Sequence, residues 1–396
     1  METSDAFDGL RCTDCGERFD ADAATHRCPE CGGILDPEYD LGALALSRDA
    51  LEARPFDGIA RYAELLPFPR ETLVTMGEGT TPLVEAPTLA ADLGVERVLI
   101  KDEGRNPTGS FKDRGAALAV TAAVEHGAET VALPTAGNAG QAASAYAARA
   151  GLDSEVFVPS RATFDNKAMI NVHGGEMTVV EGRLGDAGAA FTEAIADEDW
   201  YSVATFETPY RHEGKKTMYL EIAEQCDWES PDHVFYPTGG GVGLVGMYKA
   251  ARQMQDLDWI DGIPAFHAAQ SEGCAPIVRA YEDGRAEHDP WEHPDTICGG
   301  IEVSDPGASR LILDAVRDSG GAAVATPDDE ILDAGVTVAQ DAGVEMGATC
   351  AAAASGALEL AERGAFDGDE TVVLVNTATG NKEADVLRSH LMSQGI

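Results

Sequence analysis

From Val98 to Val375 the sequence changes period again and again. Short apolar runs at Val98–Ile100, Thr130–Leu133, Val156–Val158, Met177–Val180, His233–Tyr236 and Thr371–Val375 read as buried strands. Alanine-rich amphipathic stretches such as Gly115–Glu125 and Gly140–Ala150 lie between many of them. Strands that alternate with helices build parallel sheets with helices on both faces, so the expected class is α/β. A chain of 396 residues, 44% of them hydrophobic, is long enough for two to three domains and a large core. Residues 34–75, punctuated by Pro37, Pro55, Pro67 and Pro69, read as a linker with helical pieces. The last residues, Ser389–Ile396, carry weak signals and read as a fraying end.

Ahead of the alternating region stand two C-x-x-C pairs, Cys12 with Cys15 and Cys28 with Cys31, each followed by glycine. Two such knuckles present four thiolates to one ion, the tetrahedral sulfur cage of a structural zinc site. All four positions are used, which leaves none for catalysis. Cys226, Cys274, Cys298 and Cys350 are widely spaced and read as small buried hydrophobes, and the whole set fits a reducing compartment.

The chain carries 69 acidic and 28 basic side chains, a formal charge of −41. That field repels phosphodiester backbones and anionic bilayers, which speaks against nucleic-acid and membrane partners. The acid is spread along the chain, and lysine is confined to Lys101, Lys112, Lys167, Lys215, Lys216, Lys249 and Lys382. A diffuse acidic surface with scarce lysine fits a salt-rich cytoplasm, where screening suppresses self-repulsion. Met1–Asp20 has neither the basic start nor the apolar run of a leader, and no stretch of about 18 apolar residues occurs. The expected location is therefore cytoplasmic.

Four loops carry the chemistry. In K-D-E-G-R-N-P-T-G-S-F-K-D-R-G, residues 101–115, Asn106, Pro107 and Gly109 make a turn and Ser110 caps a helix starting near Phe111. Lys112 then lies in the first helical turn, where the helix field lowers the ammonium pKa and leaves free amine for a carbonyl cofactor. In Y-P-T-G-G-G-V-G-L-V-G, residues 236–246, Gly239, Gly240, Gly241 and Gly243 with Val242 follow a strand and precede a helix. Such a loop turns its N–H groups toward one anion and reads as a phosphate cradle, and the missing G-K-[ST] speaks against an NTPase. In P-T-A-G-N-A-G-Q, residues 134–141, Asn138 can donate to an oxygen and the N–H groups of Thr135–Ala139 can hold a carboxylate. In N-T-A-T-G-N-K, residues 376–382, a threonine hydroxyl at a strand end can meet a neutral ring nitrogen.

Together these loops resemble the fold-type-II pyridoxal phosphate enzymes (tryptophan synthase beta-like), and among them the threonine synthase family. Further segments carry the resemblance: G-E-G-T-T-P-L at Gly77–Leu83, P-Y-R-H-E-G-K-K-T at Pro209–Thr217 and S-E-G-C-A-P-I-V at Ser271–Val278. The resemblance covers roughly residues 70–385. It implies two parallel-sheet α/β domains with pyridoxal 5'-phosphate in the cleft, plus a small N-terminal zinc ribbon. The ribbon is expected at 1–36, the large cofactor-binding domain at 37–107 and 207–396, and the small domain at 108–206. The resemblance makes Lys112 the residue that binds the cofactor covalently and moves protons. Asn138 goes to the ring hydroxyl, Gly239, Gly240, Gly241, Val242 and Gly243 to the cofactor phosphate, and Thr377, before Thr379, to the ring nitrogen. Thr135, Ala136 and Gly137 are implied at the substrate carboxylate or close to the leaving phosphate, and Arg211 with Lys216 at the substrate phosphate. The implied reaction turns O-phospho-L-homoserine and water into L-threonine and phosphate by γ-elimination and β-addition, in an enzyme that is commonly a homodimer.

Ala136, Ala378 and Asn381 depart from the family pattern, which bears on fine substrate choice. Lys215 and Lys216 read alone as a solvated pair; in so acidic a chain they also read as cations kept for an anionic ligand. The alternatives left open are a sister enzyme such as cysteate synthase or threonine dehydratase, a non-catalytic zinc-ribbon binding module, and a nucleotide-dependent dehydrogenase using the glycine loop.

Overall fold

A computed structural model describes residues 1–395. The chain begins with an antiparallel ribbon of β1 (Phe7–Cys12), β2 (Arg18–Phe19) and β3 (Leu35–Tyr39), in the order β2-β1-β3. A short helix α1 (Arg48–Glu52) follows, its first turn capped by the Ser47 hydroxyl, which accepts from Ala50 N. Next come β4 (Leu83–Glu85), α2 (Pro87–Leu93) and β5 (Arg97–Asp102). The chain then alternates: α3 (Lys112–Glu125), β6 (Thr130–Pro134), α4 (Asn138–Ala150), β7 (Asp153–Pro159), α5 (Phe164–Val172), β8 (Glu176–Val180), α6 (Leu184–Ile195) and β9 (Tyr201–Ser202). Helix α7 (Arg211–Gln225) leads to β10 (His233–Pro237), α8 (Val242–Asp256), β11 (Ala265–Ser271), α9 (Pro276–Glu282), α10 (Ser309–Asp318) and β12 (Ala323–Thr326). The last elements are α11 (Asp328–Ala342), α12 (Ala348–Glu362), β13 (Thr371–Asn376) and α13 (Ala384–Ser393). Most of the weak C-terminal stretch is thus helical or turn, and Ile396 lies outside the described residues.

The chain divides into two compact units, one of Met1–Thr80 with Asn106–Thr217, the other of Thr81–Arg105 with the residues from Met218 on. In the first, four parallel strands run in the order β8-β7-β6-β9. Val131, Leu133, Val156 and Val158 form a core with Ala117, Leu118 and Val120 of α3 and with Ala143 and Tyr146 of α4. The same core takes in Leu10, Leu35, Leu66, Phe68 and Tyr210, so the ribbon shares the apolar interior of its unit. Segment 37–80, expected with the larger domain, belongs here for a physical reason. Glu78 Oε2 accepts from Tyr146 OH at 2.7 Å and Val74 N donates to Thr121 Oγ1 at 2.9 Å, pinning the segment to α4 and α3. The ribbon also runs past residue 36, because its third strand ends at Tyr39.

In the second unit six strands run β12-β11-β10-β13-β5-β4, all parallel except the edge strand β4. Burial on both faces explains the continuous apolar reading of β10 and β13. Helix α12 lies on this sheet through small residues: a Cβ on Gly356 would stand 2.8 Å from Val324 Cγ1, closer than packed carbons approach. Strands β11 and β12 were not evident from sequence. Strand β11, A-F-H-A-A-Q-S, buries His267 and Gln270, and those polar residues break the apolar run. Both are satisfied inside: Gln270 Oε1 accepts from Ile277 N and Val278 N while its Nε2 donates to Thr238 O, and His267 Nδ1 accepts from Ala322 N. Among the described residues no helix is long and apolar enough to cross a membrane.

Candidate active site

In the first unit Lys112 opens α3, as expected, but its surroundings differ in detail. Ser110 Oγ accepts from Lys112 N at 3.3 Å, and the residue at the helix cap is Phe111, without a side-chain cap bond. Lys112 Nζ lies 4.4 Å from the centre of the Phe111 ring and meets no hydrogen-bond acceptor among the described residues. Burial lowers the ammonium to about 7, and the Arg211 charge adds to the shift. The cause is thus desolvation first, and not the helix field that the sequence suggested.

A small cavity is lined by Lys112, Leu133, Ala139, Ala143, Val203 and Arg211. Arg211 is 4% exposed, and its Nη1 donates to Val203 O at 2.8 Å. Among the described residues no carboxylate pairs with it, and burial lowers its pKa to about 10. A buried guanidinium without an anion is costly, and an anionic ligand in this cavity would offset that cost.

The loop after β6 leads into α4 beside that cavity. Thr135 N is already used, continuing the sheet to Phe157 O at 2.9 Å, and Gly137 N turns back to Thr135 Oγ1 at 3.0 Å. The N–H groups of Ala136, Asn138 and Ala139 make no hydrogen bond among the described residues, so the expected carboxylate donors narrow to these three. Asn138 Oδ1 is buried with no partner, an orphaned acceptor that an O–H of a ligand would satisfy, whereas the expected donation to an oxygen falls to the amide Nδ2.

The two lysines of the P-Y-R-H-E-G-K-K-T segment are not solvated. Lys215 is fully buried and donates to Phe111 O. Lys216, expected at the substrate phosphate, is an internal strut: its Nζ meets Glu213 Oε2 at 2.7 Å and Leu65 O at 2.7 Å and sits 4.0 Å from the centre of the Tyr39 ring. In the sequence His212 reads as a lone histidine beside Arg211, and Glu213 with Lys216 as an i,i+3 pair of the kind found on any exposed helix. In the fold His212 and Glu213 are 1% and 0% exposed.

In the second unit the glycine loop follows β10 and Thr377 follows the adjacent parallel strand β13, so both stand at carboxyl ends of neighbouring strands, the usual ligand edge of an α/β sheet. Gly241 is left-handed at φ 68° and caps α8; a Cβ there would stand 2.3 Å from Ile312 Cδ1. The N–H groups of Gly239, Gly240, Gly241 and Val242 make no hydrogen bond among the described residues, which leaves four consecutive donors for an anion. Thr377 is 4% exposed, with Oγ1 3.2 Å from Cys350 Sγ. Both units therefore fit parts of pyridoxal phosphate: an amine and an orphaned amide in one, an open phosphate cradle and a buried hydroxyl in the other.

In the ribbon Cys12, Cys15, Cys28 and Cys31 bring their Sγ atoms within 4.8 Å of one another. Cys12 and Cys31 are 3.5 Å apart, Cys15 and Cys28 3.7 Å. Zinc–sulfur bonds of about 2.3 Å in a tetrahedron need sulfurs about 3.8 Å apart. The four thiols fit that ion. Of the other cysteines, Cys274, Cys298 and Cys350 are buried as expected and Cys226 is half-buried.

Residues 74–378 match the family described as pyridoxal-phosphate dependent enzyme. The chain is 35% identical over 369 residues to a protein named threonine synthase from Methanosarcina acetivorans, covering 93% of this chain and 90% of that one. It is 34% identical over 379 residues to a second protein named threonine synthase, from Methanocaldococcus jannaschii, covering 95% of this chain and 93% of that one. Among solved structures, diaminopropionate ammonia lyase from Escherichia coli superposes with a TM-score of 0.69 at 18% identity, over 81% of this chain and 89% of that one, a likeness of fold. The chain belongs to the pyridoxal-phosphate-dependent enzymes and, within them, to the threonine synthase family.

Proposed function

We propose that this chain converts O-phospho-L-homoserine and water into L-threonine and phosphate. The observation that carries the reading is Arg211: a buried guanidinium with no carboxylate among the described residues, sharing its cavity with Lys112. A phosphate monoester dianion supplies the missing charge, and the planar fork suits its oxygens. The phosphate is then both handle and leaving group, so binding energy acts at the reacting end of the substrate. Ala136, Asn138 and Ala139 offer N–H groups to the substrate carboxylate.

Pyridoxal phosphate, when bound, withdraws electrons from the substrate's α carbon. The residues that would hold it are Lys112 at its carbonyl, Asn138 at its ring hydroxyl, the free N–H groups of Gly239, Gly240, Gly241 and Val242 at its phosphate and Thr377 at its ring nitrogen. An amine held near neutrality takes a proton from carbon and returns it without a large mismatch, the part assigned to Lys112. Thr377 offers a neutral hydroxyl and no carboxyl, so nothing on that side chain protonates the ring nitrogen. The four ribbon cysteines hold a structural zinc ion, supported by the sulfur spacing. The diffuse acidic surface supports a salt-rich cytoplasm as the working environment, and family membership supports a homodimer.

The test is threonine and phosphate formation from O-phosphohomoserine in molar KCl, wild type against Lys112→Ala. Equimolar products from the wild type and none from the variant are expected. A folded, cofactor-loaded wild type that turns over nothing would sink the reading, and cysteate synthase chemistry would be assayed next.

A further inference from the structure

A row of polar contacts joins the ribbon to the segment that carries Arg211, and the reaction itself does not call for them. Tyr201 OH donates to Thr25 O at 3.4 Å, and His26 Nε2 meets Ser202 O at 3.2 Å. Arg27, next to Cys28, donates from Nε to Glu207 Oε1 at 3.1 Å. From strand β3, Asp36 Oδ1 accepts from His212 Nε2 at 2.7 Å, and Tyr39 OH donates to Glu213 Oε2 at 2.6 Å.

These contacts bracket Arg211 from both sides. Val203, whose carbonyl accepts from Arg211 Nη1, directly follows Ser202. His212 and Glu213 directly follow Arg211 in the first turn of α7. Glu213 is closed from the other side by Lys216, and both are fully buried. A buried charged network of this kind returns little net stability for its desolvation, so its yield is fixed geometry. Geometry is what a guanidinium fork needs, because its donors are directional and a misplacement of about 1 Å can cost about a hundredfold in rate.

We propose that the ribbon is a brace for the phosphate-binding arginine, with Asp36 and Tyr39 as positioning residues acting through His212 and Glu213. The inference rests on the reading of Arg211 as the phosphate contact. The ribbon's cysteines then serve the active site at one remove: they shape the strand that holds the helix that holds the arginine.

The experiment titrates inorganic phosphate calorimetrically into the cofactor-loaded enzyme and measures KM and kcat separately for O-phosphohomoserine. Asp36→Ala is expected to weaken phosphate binding and raise KM about tenfold, with kcat held within about threefold. Asp36→Asn, which keeps an oxygen for His212 Nε2, is expected to recover most of the loss. Should Asp36→Ala not fold, Tyr39→Phe removes only the hydroxyl on Glu213 and is expected to move KM several-fold in the same direction. Wild-type phosphate affinity and KM in a folded Asp36→Ala or Tyr39→Phe protein overturn the brace. Arg211→Ala separates the two layers. If it loses phosphate while Asp36→Ala does not, the brace alone fails; if it binds phosphate as wild type does, the reading of Arg211 fails and the brace with it.

Discussion

At the scale of single residues, Lys112 and Arg211 line one cavity, and their electrostatic coupling is measurable without turnover. An ordinary lysine ammonium titrates at 10.5, and here burial and the Arg211 charge bring Lys112 to about 7. Only the free amine attacks a carbonyl. Cofactor-free protein should therefore take up pyridoxal phosphate, trapped with borohydride, at a rate that climbs about tenfold per pH unit below 7 and levels off above it. Removing the neighbouring cation favours the ammonium, so in Arg211→Met the bend in that profile should move to higher pH. A wild-type profile still climbing at pH 9, or a bend unmoved in the variant, would contradict the coupling. Both residues were legible from sequence, since each sits in a dense local motif. The enclosure of Lys216 is not legible in the sequence, because it depends on Leu65 and Glu213 and no local pattern says that a lysine is enclosed.

At the scale of elements, the six apolar runs expected as strands all lie within strands; in β5, β6, β7, β10 and β13 burial of most side chains leaves a continuous apolar signature, whereas β8, at the sheet edge, carries its apolar residues half-buried or exposed. Strand β11 is not legible in the sequence because its interior includes satisfied polar groups, nor is β3, because L-D-P-E-Y gains its place by pairing with β1. The ribbon is the element whose stability is least its own. Its own buried apolar side chains are few and mostly small, Ala6, Leu10, Ala21, Ala24, Ile34 and Leu35 alongside Cys12 and Cys28, so beyond the core it borrows from its unit it has little to order three short strands. Structural zinc contributes about 10–16 kcal/mol in isolated finger peptides, so the ion is expected to hold this sheet together. Purified protein should contain one zinc ion per chain. Stripping it with a strong chelator should strip the amides of β1 and β3 of hydrogen-exchange protection while those of β6 and β7 keep theirs. Unchanged protection in a verified zinc-free protein would show that packing alone orders the ribbon.

At the scale of the whole molecule, the charge distribution follows a rule that composition only hints at. None of the seven lysines is fully exposed: Lys101, Lys215 and Lys216 are buried, and Lys112, Lys167, Lys249 and Lys382 are half-buried. Lysine is kept for internal work, as at Lys101, whose Nζ donates to Glu221, Gln225 and Thr81 O. The acid accumulates outside even where neighbours repel. Glu155 and Glu176 are direct partners across the parallel strands β7 and β8, and burial together with Glu176, Asp153 and Glu198 raises the Glu155 pKa. A raised carboxyl pKa means that the folded state binds the proton more tightly, so this group's contribution to stability falls as pH rises through its titration. Like charges directly opposite one another cost about 0.2–1 kcal/mol, and ions screen that cost, with a Debye length of about 10 Å at 0.1 M salt and about 3 Å at 1 M. Two outcomes are expected from thermal melts. Tm of the wild type should rise between 0.1 M and 2 M KCl. Glu176→Lys should raise Tm in 0.1 M KCl and lose most of that advantage in 2 M, because it removes a repulsion that salt already suppresses. A gain of the same size at both salt concentrations would mean that Glu176→Lys acts through packing on the sheet, and that repulsion at this pair is not what the salt relieves.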